Sequence, residues 1–480
     1  MPSVTLLNPI YGAQTWAGAT NQYFLLGKDS YIISSGTTLD ATTVGNNRVI
    51  LIEGSMTSNV GNGVRFGDLV GSPTASLNNA FTVGKEGSIQ AGADAVIITA
   101  QHTRVTNYGE VDSIFGNAFD VRGNSTSFNN FGAISTGAIT AIFLNGNNVT
   151  FRNSGEILSD STGLSLTGDS AVIHNNGLLS TFGSGISVSG DFAKIRNSGV
   201  IQSESGVFAN GNGSKLLNTG DISATFDGVI YFDVGFIENS GKIVGGDEGI
   251  SYTQAATRIG DLRIKNSGLI QGGDHAIEVT NSGGPAAFGR LVLNNSGEIL
   301  GDIDAATPTF NLQGHRIINT GEIQGDISFG AANDFYNGTR GQVVGTVYGN
   351  SGEDTLIGGS EGNTLDGGAG DDTLYGRGGD DTLIGLAGDD TLIGGAHDDV
   401  FIFGVHDGHD VITDFTNGQD KIDLSAFGLN PSDYASVVAP ALSAHGAGST
   451  FLDLTEMGGT GTIVINGLTL AQAGASDFIF

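Results

Sequence analysis

The sequence predicts an all-β chain, a long parallel solenoid rather than a layered globule. Three observations carry that reading. An Asn-x-Gly-x-Ile motif recurs along residues 107–323, and from Gly349 the repeat shortens to nine residues. Glycine supplies 79 of the 480 residues, more than twice its ordinary share of roughly 7%, whereas proline supplies only 7.

Charge narrows the partners before any motif is placed. With 50 acidic and 19 basic side chains the chain carries −31. Nucleic acid and anionic membranes would repel such a chain, whereas cations would be drawn to it. There is no cysteine, which excludes disulfides and thiolate metal sites. Any metal would therefore rest on Asp and Glu carboxylates, backbone carbonyls and the 8 histidines.

Residues 1–80 precede the motif and are expected to form a β cap or irregular region. They hold the one tryptophan, in "IYGAQTWAGATNQYF". Tyr11, Trp16, Tyr23 and Phe24 suit either a seal over the open end of a solenoid or a contact surface for sugars or another subunit. The opening "MPSVTLLNPIYG" has no basic region followed by an apolar run, so no signal peptide is expected. No stretch approaches the ~20 apolar residues of a membrane helix, and no membrane insertion is expected.

Residues 81–345 are expected to form a parallel β-helix. The motif starts at Asn107, Asn130, Asn153, Asn175, Asn197, Asn218, Asn239, Asn266, Asn295 and Asn319, in steps of 21–23 residues through most of the run that stretch to 27 and 29 around Asn266. Each period holds three short runs of alternating apolar and polar residues, the pattern of strands with one buried face. Three strands per period, closed by glycine and asparagine corners, describe one coil. The asparagines would stack at the strand spacing of ~4.8 Å and hydrogen-bond into a ladder.

In residues 346–404, Leu356, Leu365, Leu374, Leu383, Leu392 and Phe401 are spaced nine apart, most of them preceded by a G-G-x-G-x-D loop. This segment closely resembles the calcium-binding nonapeptide repeat of RTX (hemolysin-type) proteins. Residues 405–480 extend the resemblance: "GHDVITDFTNGQDKIDLSAFG" is similar to the segment that follows the repeats in serralysin-type and other type I secreted proteins. The terminal "DFIF" resembles their uncleaved C-terminal secretion signal.

The resemblance implies an all-β fold in which a right-handed parallel β-helix, with coils of about 21–29 residues and an Asn ladder, continues into a calcium-binding parallel β-roll closed by a C-terminal β cap. It also implies that two nonapeptides make one turn. Asp354, Asp372 and Asp390 then line one edge, and Asn363, Asp381 and Asp399 the other. Carboxylates stacked at ~4.8 Å repel unless a cation lies between them. Calcium, which takes six to eight oxygens, suits that place. The corner glycines Gly352, Gly370, Gly379 and Gly388 would turn carbonyls toward the ions, and Asp410 joins the expected metal set. One repeat, "GGSEGNTLD" at 358–366, has Glu361 in place of glycine and Asn363 in place of aspartate, so a weaker site is expected there.

Type I secretion would explain the missing signal peptide and an extracellular or cell-surface location. Residues 346–480 contain 21 acidic and 2 basic side chains, so this part resists compaction without calcium and would fold outside the cell, where calcium is plentiful.

Catalytic motifs are sparse. There is no H-E-x-x-H, no G-x-S-x-G nucleophile elbow outside the nonapeptide repeats and no Tyr/Asp/His cluster of the alginate epimerases, and no Thr-x-Thr array for ice binding. Counted from the motif isoleucine, Asp247 and Asp274 occupy equivalent positions, as do Asp227, Glu248 and His275. Such a set would suit a base beside an acidic sugar, or merely a solvated acidic edge. Two functions follow: a calcium-dependent structural or interaction protein (surface-layer, matrix or adhesin component), or a polysaccharide lyase or epimerase. Partners under the first are calcium and a second copy of the chain or a surface polysaccharide.

Overall fold

In a computed structural model, residues 3–6, 10–11, 14–15, 23–28, 30–34, 39–41, 49–67, 79–232, 235–254, 260–281, 289–305 and 314–480 are described. Trp16 lies outside them. The chain divides into two compact units, Met1–Ile250 and Ser251–Phe480.

Both units are parallel β-solenoids. In the first, the strands Ser127–Asn130, Thr150–Asn153, Val172–Asn175, Lys194–Asn197 and Ser214–Asn218 lie side by side in register, each asparagine opposite the next. Strand pairing already begins at Ser3–Leu6, which stacks on Tyr23–Leu26 and through it on Val49–Ile52. Coils thus precede the asparagine motif, because alternation and glycine corners suffice to form them. Phe24, one of the four aromatic residues considered for a seal or contact surface, is buried.

The asparagine ladder is continuous within each unit. Nδ2 of Asn107 donates to Oδ1 of Asn130 at 2.9 Å, and the same bond repeats through Asn153, Asn175, Asn197, Asn218 and Asn239. Asn266, Asn295 and Asn319 repeat it in the second unit. Oδ1 also accepts the N–H of the glycine two residues on, as from Gly155 to Asn153 at 3.3 Å. That local turn explains the Asn-x-Gly pairing. Glycine is required for a second reason: a Cβ on Gly155 would collide with the carbonyl of Gly132 in the preceding coil.

Inward-facing residues stack in columns. Phe128, Phe151, Ile173, Ile195, Leu216 and Ile237 form one, all at or near zero exposure. Phe119 packs edge-on against Phe128, with centroids 4.8 Å apart.

In the second unit the long coils shorten without a break in pairing. Arg316–Asn319 pairs with Phe335–Asn337, which pairs with Thr355–Ile357, then Thr373–Gly378 and Thr391–Ala396. Partners in the last two steps are 18 residues apart, two nonapeptides per turn. Leu356, Leu365, Leu374, Leu383, Leu392 and Phe401 are fully buried and make the thin core. The end is closed by Gly461–Asn466, parallel to Gly408–Ile412, with Ser449–Asp453 and Leu442–Ala444 antiparallel beyond it. Phe478–Ile479 forms the final strand, paired with Ile422 and Asp423. No helix among the described residues is long and apolar enough to cross a membrane.

Candidate metal centre

Each nonapeptide is a triplet strand followed by a glycine-rich corner, and the corner turns its sixth residue inward. Asp354, Asp372, Asp381, Asp390 and Asp399 are at most 1% exposed, unusual for carboxylates. Backbone amides bind one oxygen of each. The N–H of Asp354 donates to Oδ1 of Asp372 at 2.7 Å, that of Asp372 to Asp390 at 2.8 Å, and that of Asp390 to Asp410 at 3.0 Å. On the other edge the relay runs from Asn363 to Asp381, Asp399 and Asp420.

The second oxygen is treated differently. Oδ2 of Asp354, Asp372, Asp381, Asp390, Asp399 and Asp410 is buried and has no hydrogen-bond partner. A buried polar atom without a partner costs on the order of 1–3 kcal/mol, more if charged. Six in two columns therefore call for a shared partner.

The pocket around each oxygen is made by the first glycine of the corner. A Cβ on Gly349, Gly367, Gly376, Gly385 or Gly394 would strike Oδ2 of Asp354, Asp372, Asp381, Asp390 or Asp399 respectively. At Gly349 and Gly376 it would also meet the carbonyl oxygen of the first glycine one turn on, Gly367 or Gly394. A carboxylate oxygen and a peptide carbonyl thus converge on one small space, the oxygen-rich donor set that a hard cation takes.

Burial raises the proton affinity of these groups. It pushes Asp354, Asp372 and Asp381 up to about 7, Asp390 and Asp399 to about 6, and Asp410 to about 8, with neighbouring carboxylates adding to the shift in each case. Hydrogen bonds from the relay amides oppose it. A divalent cation would reverse the balance by favouring the charged form.

The family model for the RTX calcium-binding nonapeptide repeat (4 copies) matches here, at residues 348–383 and 375–405. No curated protein matches the chain. RTX repeats bind calcium, and the orphaned oxygens fit that ion. Asp354, Asp372, Asp381, Asp390, Asp399 and Asp410 would hold it, with corner carbonyls. Calcium would supply the positive charge that lets these carboxylates stay ionised while stacked.

Gly352, Gly370, Gly379 and Gly388 stand at the fourth corner position with φ of 130°, 123°, 96° and 143°, angles that favour glycine. The glycines directly against the carboxylates are the first-position set instead, beginning with Gly349. Their signal was present in the sequence, as a glycine five residues before each aspartate.

Not every corner carries an orphan. Oδ1 of Asn363 accepts the N–H of Gly359 in its own corner at 2.6 Å, so the amide closes the turn by itself. Asp334, in the last long coil, receives His315 and Gly330 amides on its two oxygens, and Oδ2 of Asp420 receives that of Thr416. Asp414 caps the amides of Gly394 and Gly395.

The residues considered for catalysis fall in different units. Asp227, Asp247 and Glu248 belong to the first, Asp274 and His275 to the second. Toward the following coil, bulges after Gln271 shift the pairing with Glu298–Asp304, so that His275 lies opposite Asp302. Of the other histidines, His315 is buried and accepts the Leu291 amide, and His174 sits between Arg152 and Arg196 on an outer face.

Proposed function

We propose that this is a secreted calcium-binding protein whose roll folds on calcium outside the cell, and that it serves as a structural or interaction component of a cell surface or matrix, associating with further copies of itself when calcium is present. The observation that carries the reading is the set of six buried carboxylate oxygens with no partner. Such a roll is strained by its own charge until cations arrive, so metal binding becomes folding free energy. RTX repeats are typical of secreted proteins, and the terminal Ser476–Phe480 stretch is assigned as the export signal on its resemblance. Solenoids in general offer long faces along their sides and exposed strand edges at their ends, both suited to association.

Calorimetry and circular dichroism on the full chain across a calcium titration test the reading. Calcium should produce saturable binding, a gain of β signal and an increase in sedimentation coefficient. Identical spectra and no heat with and without chelator would overturn it.

A further inference from the structure

In a chain of net charge −31, one sheet face of the first unit is basic. Strands Thr150–Asn153, Val172–Asn175, Lys194–Asn197 and Ser214–Asn218 alternate inward and outward residues. Their outward positions form two rows along the solenoid. One row contains Arg152, His174 and Arg196 in direct register, and the other places Lys194 opposite Lys215. Four of the 19 Lys and Arg residues thus share a patch four strands wide. All four are exposed, and none has an ion-pair partner among the described residues. In the corners that precede these strands, Asp169 and Asp191 accept the backbone amides of Asp191 and Asn212.

Like charges opposite one another on neighbouring strands are unfavourable, and a neighbouring Lys pair beside an Arg-flanked histidine repeats that cost. The arrangement is relieved by an anion with charges at the strand spacing of ~4.8 Å. The roll carries such a row. Glu353, Asp371 and Asp389 precede the buried aspartates of one edge, are exposed, and follow each other at one turn, with the N–H of Asp389 on Oδ1 of Asp371. Because stacked strands set both rows, their charges are opposite in sign and share one pitch.

We infer that the basic face of Arg152, Lys194, Arg196 and Lys215 docks the Glu353–Asp371–Asp389 edge of the calcium roll of a second copy. The contact joins two different surfaces, so it propagates head to tail, into a ring where the rotation closes and an open chain where it does not. It rests on the self-association proposed above, and it names the two surfaces. Calcium enters by ordering the acidic row, not by bridging it. The contact is electrostatic and exposed, so it weakens as salt rises.

Two full-length variants test this by sedimentation in calcium: Lys194→Gln with Lys215→Gln, and Asp371→Asn with Asp389→Asn. Each variant alone should remain monomeric, with apparent association at least tenfold weaker than the unaltered chain. Mixed one to one, they should give a heterodimer and nothing larger, because each contributes one intact surface. If the unaltered chain assembles and the lysine variant assembles equally well, these surfaces are wrong and self-association stands. If the unaltered chain stays monomeric at saturating calcium, both fall. If a polyuronate binds the unaltered chain at concentrations where no self-association occurs, and the lysine variant loses it, the occupant is an acidic glycan and the inference is overturned.

Discussion

Asp372 and Asp390, 18 residues apart, are joined by a single 2.8 Å hydrogen bond from the backbone N–H of the first to Oδ1 of the second. The other oxygen of Asp390 is buried and unpaired. One carboxylate therefore has two tasks: it ties adjacent turns together through a peptide, and it presents a bare oxygen to the corner.

Asp372→Ala should cost more calcium affinity than Asn363→Ala. The first removes an orphaned oxygen and the acceptor for the Asp354 amide, whereas the amide of Asn363 already satisfies Gly359. Isothermal titration should show a loss of ~10-fold or more for Asp372→Ala, by the dependence of affinity on ligand charge. Equal losses would mean that the two corners bind alike.

Gly385→Ala should disable the neighbouring site while leaving every carboxylate in place. The new methyl would occupy the position of Oδ2 of Asp390, which must rotate out. Loss of about one ion from the calcium stoichiometry, with the first unit still folded by hydrogen exchange, is the expected result.

Acid should act in opposite directions on the ion-free and calcium-loaded roll. The carboxyls of Asp354, Asp372 and Asp381 rise to about 7 on burial without a cation, so the ion-free fold takes up protons. The penalty of burying them charged is absent below about pH 4, the unfolded value, and complete above about pH 7. In chelator, β signal should grow as pH falls. In calcium, the ion must displace those protons, so affinity should fall as pH drops through 7. Parallel trends in the two series would contradict this.

His397→Gly should stabilise the roll. His397 stands at the fourth corner position with φ of 91°, outside the left-handed well that non-glycine residues tolerate. Relief of backbone strain, offset by greater freedom in the unfolded chain, should leave a gain of ~1 kcal/mol. Thermal melts in saturating calcium would read it, and a lower midpoint would contradict the strain argument.

Breaking the asparagine ladder should weaken the first unit. Asn197 accepts from Asn175 and donates to Asn218, all three buried. Asn197→Ala leaves a buried donor and a buried acceptor unpaired, at roughly 1–3 kcal/mol each. Denaturant unfolding should register a loss of that order without change in calcium binding.

Period was the legible part of this protein. The leucine column from Leu356 and the ladder from Asn107 are fixed by constant covalent spacing, which stacking converts directly into neighbours. The carboxylate edges were legible through the RTX resemblance, which puts two nonapeptides in each turn. The glycine cradle was not, since the sequence marks Gly349 and Gly352 alike and only the fold shows which one faces Oδ2. The basic face was hidden because Arg152, Lys194 and Lys215 lie one or two coils apart, submerged in a strongly negative total.

The amide-to-carboxylate relay also gives the roll a grain. Each carboxylate is oriented by the peptide of the corner before it, so a corner at the boundary of a partly formed stack lacks one of its fasteners until its neighbour closes. The roll should consequently behave like a zip. Pulled from its ends, it would yield by whole turns, each releasing 18 residues, roughly 60 Å of chain at ~3.4 Å per residue. Calcium would then set the force at which each tooth lets go.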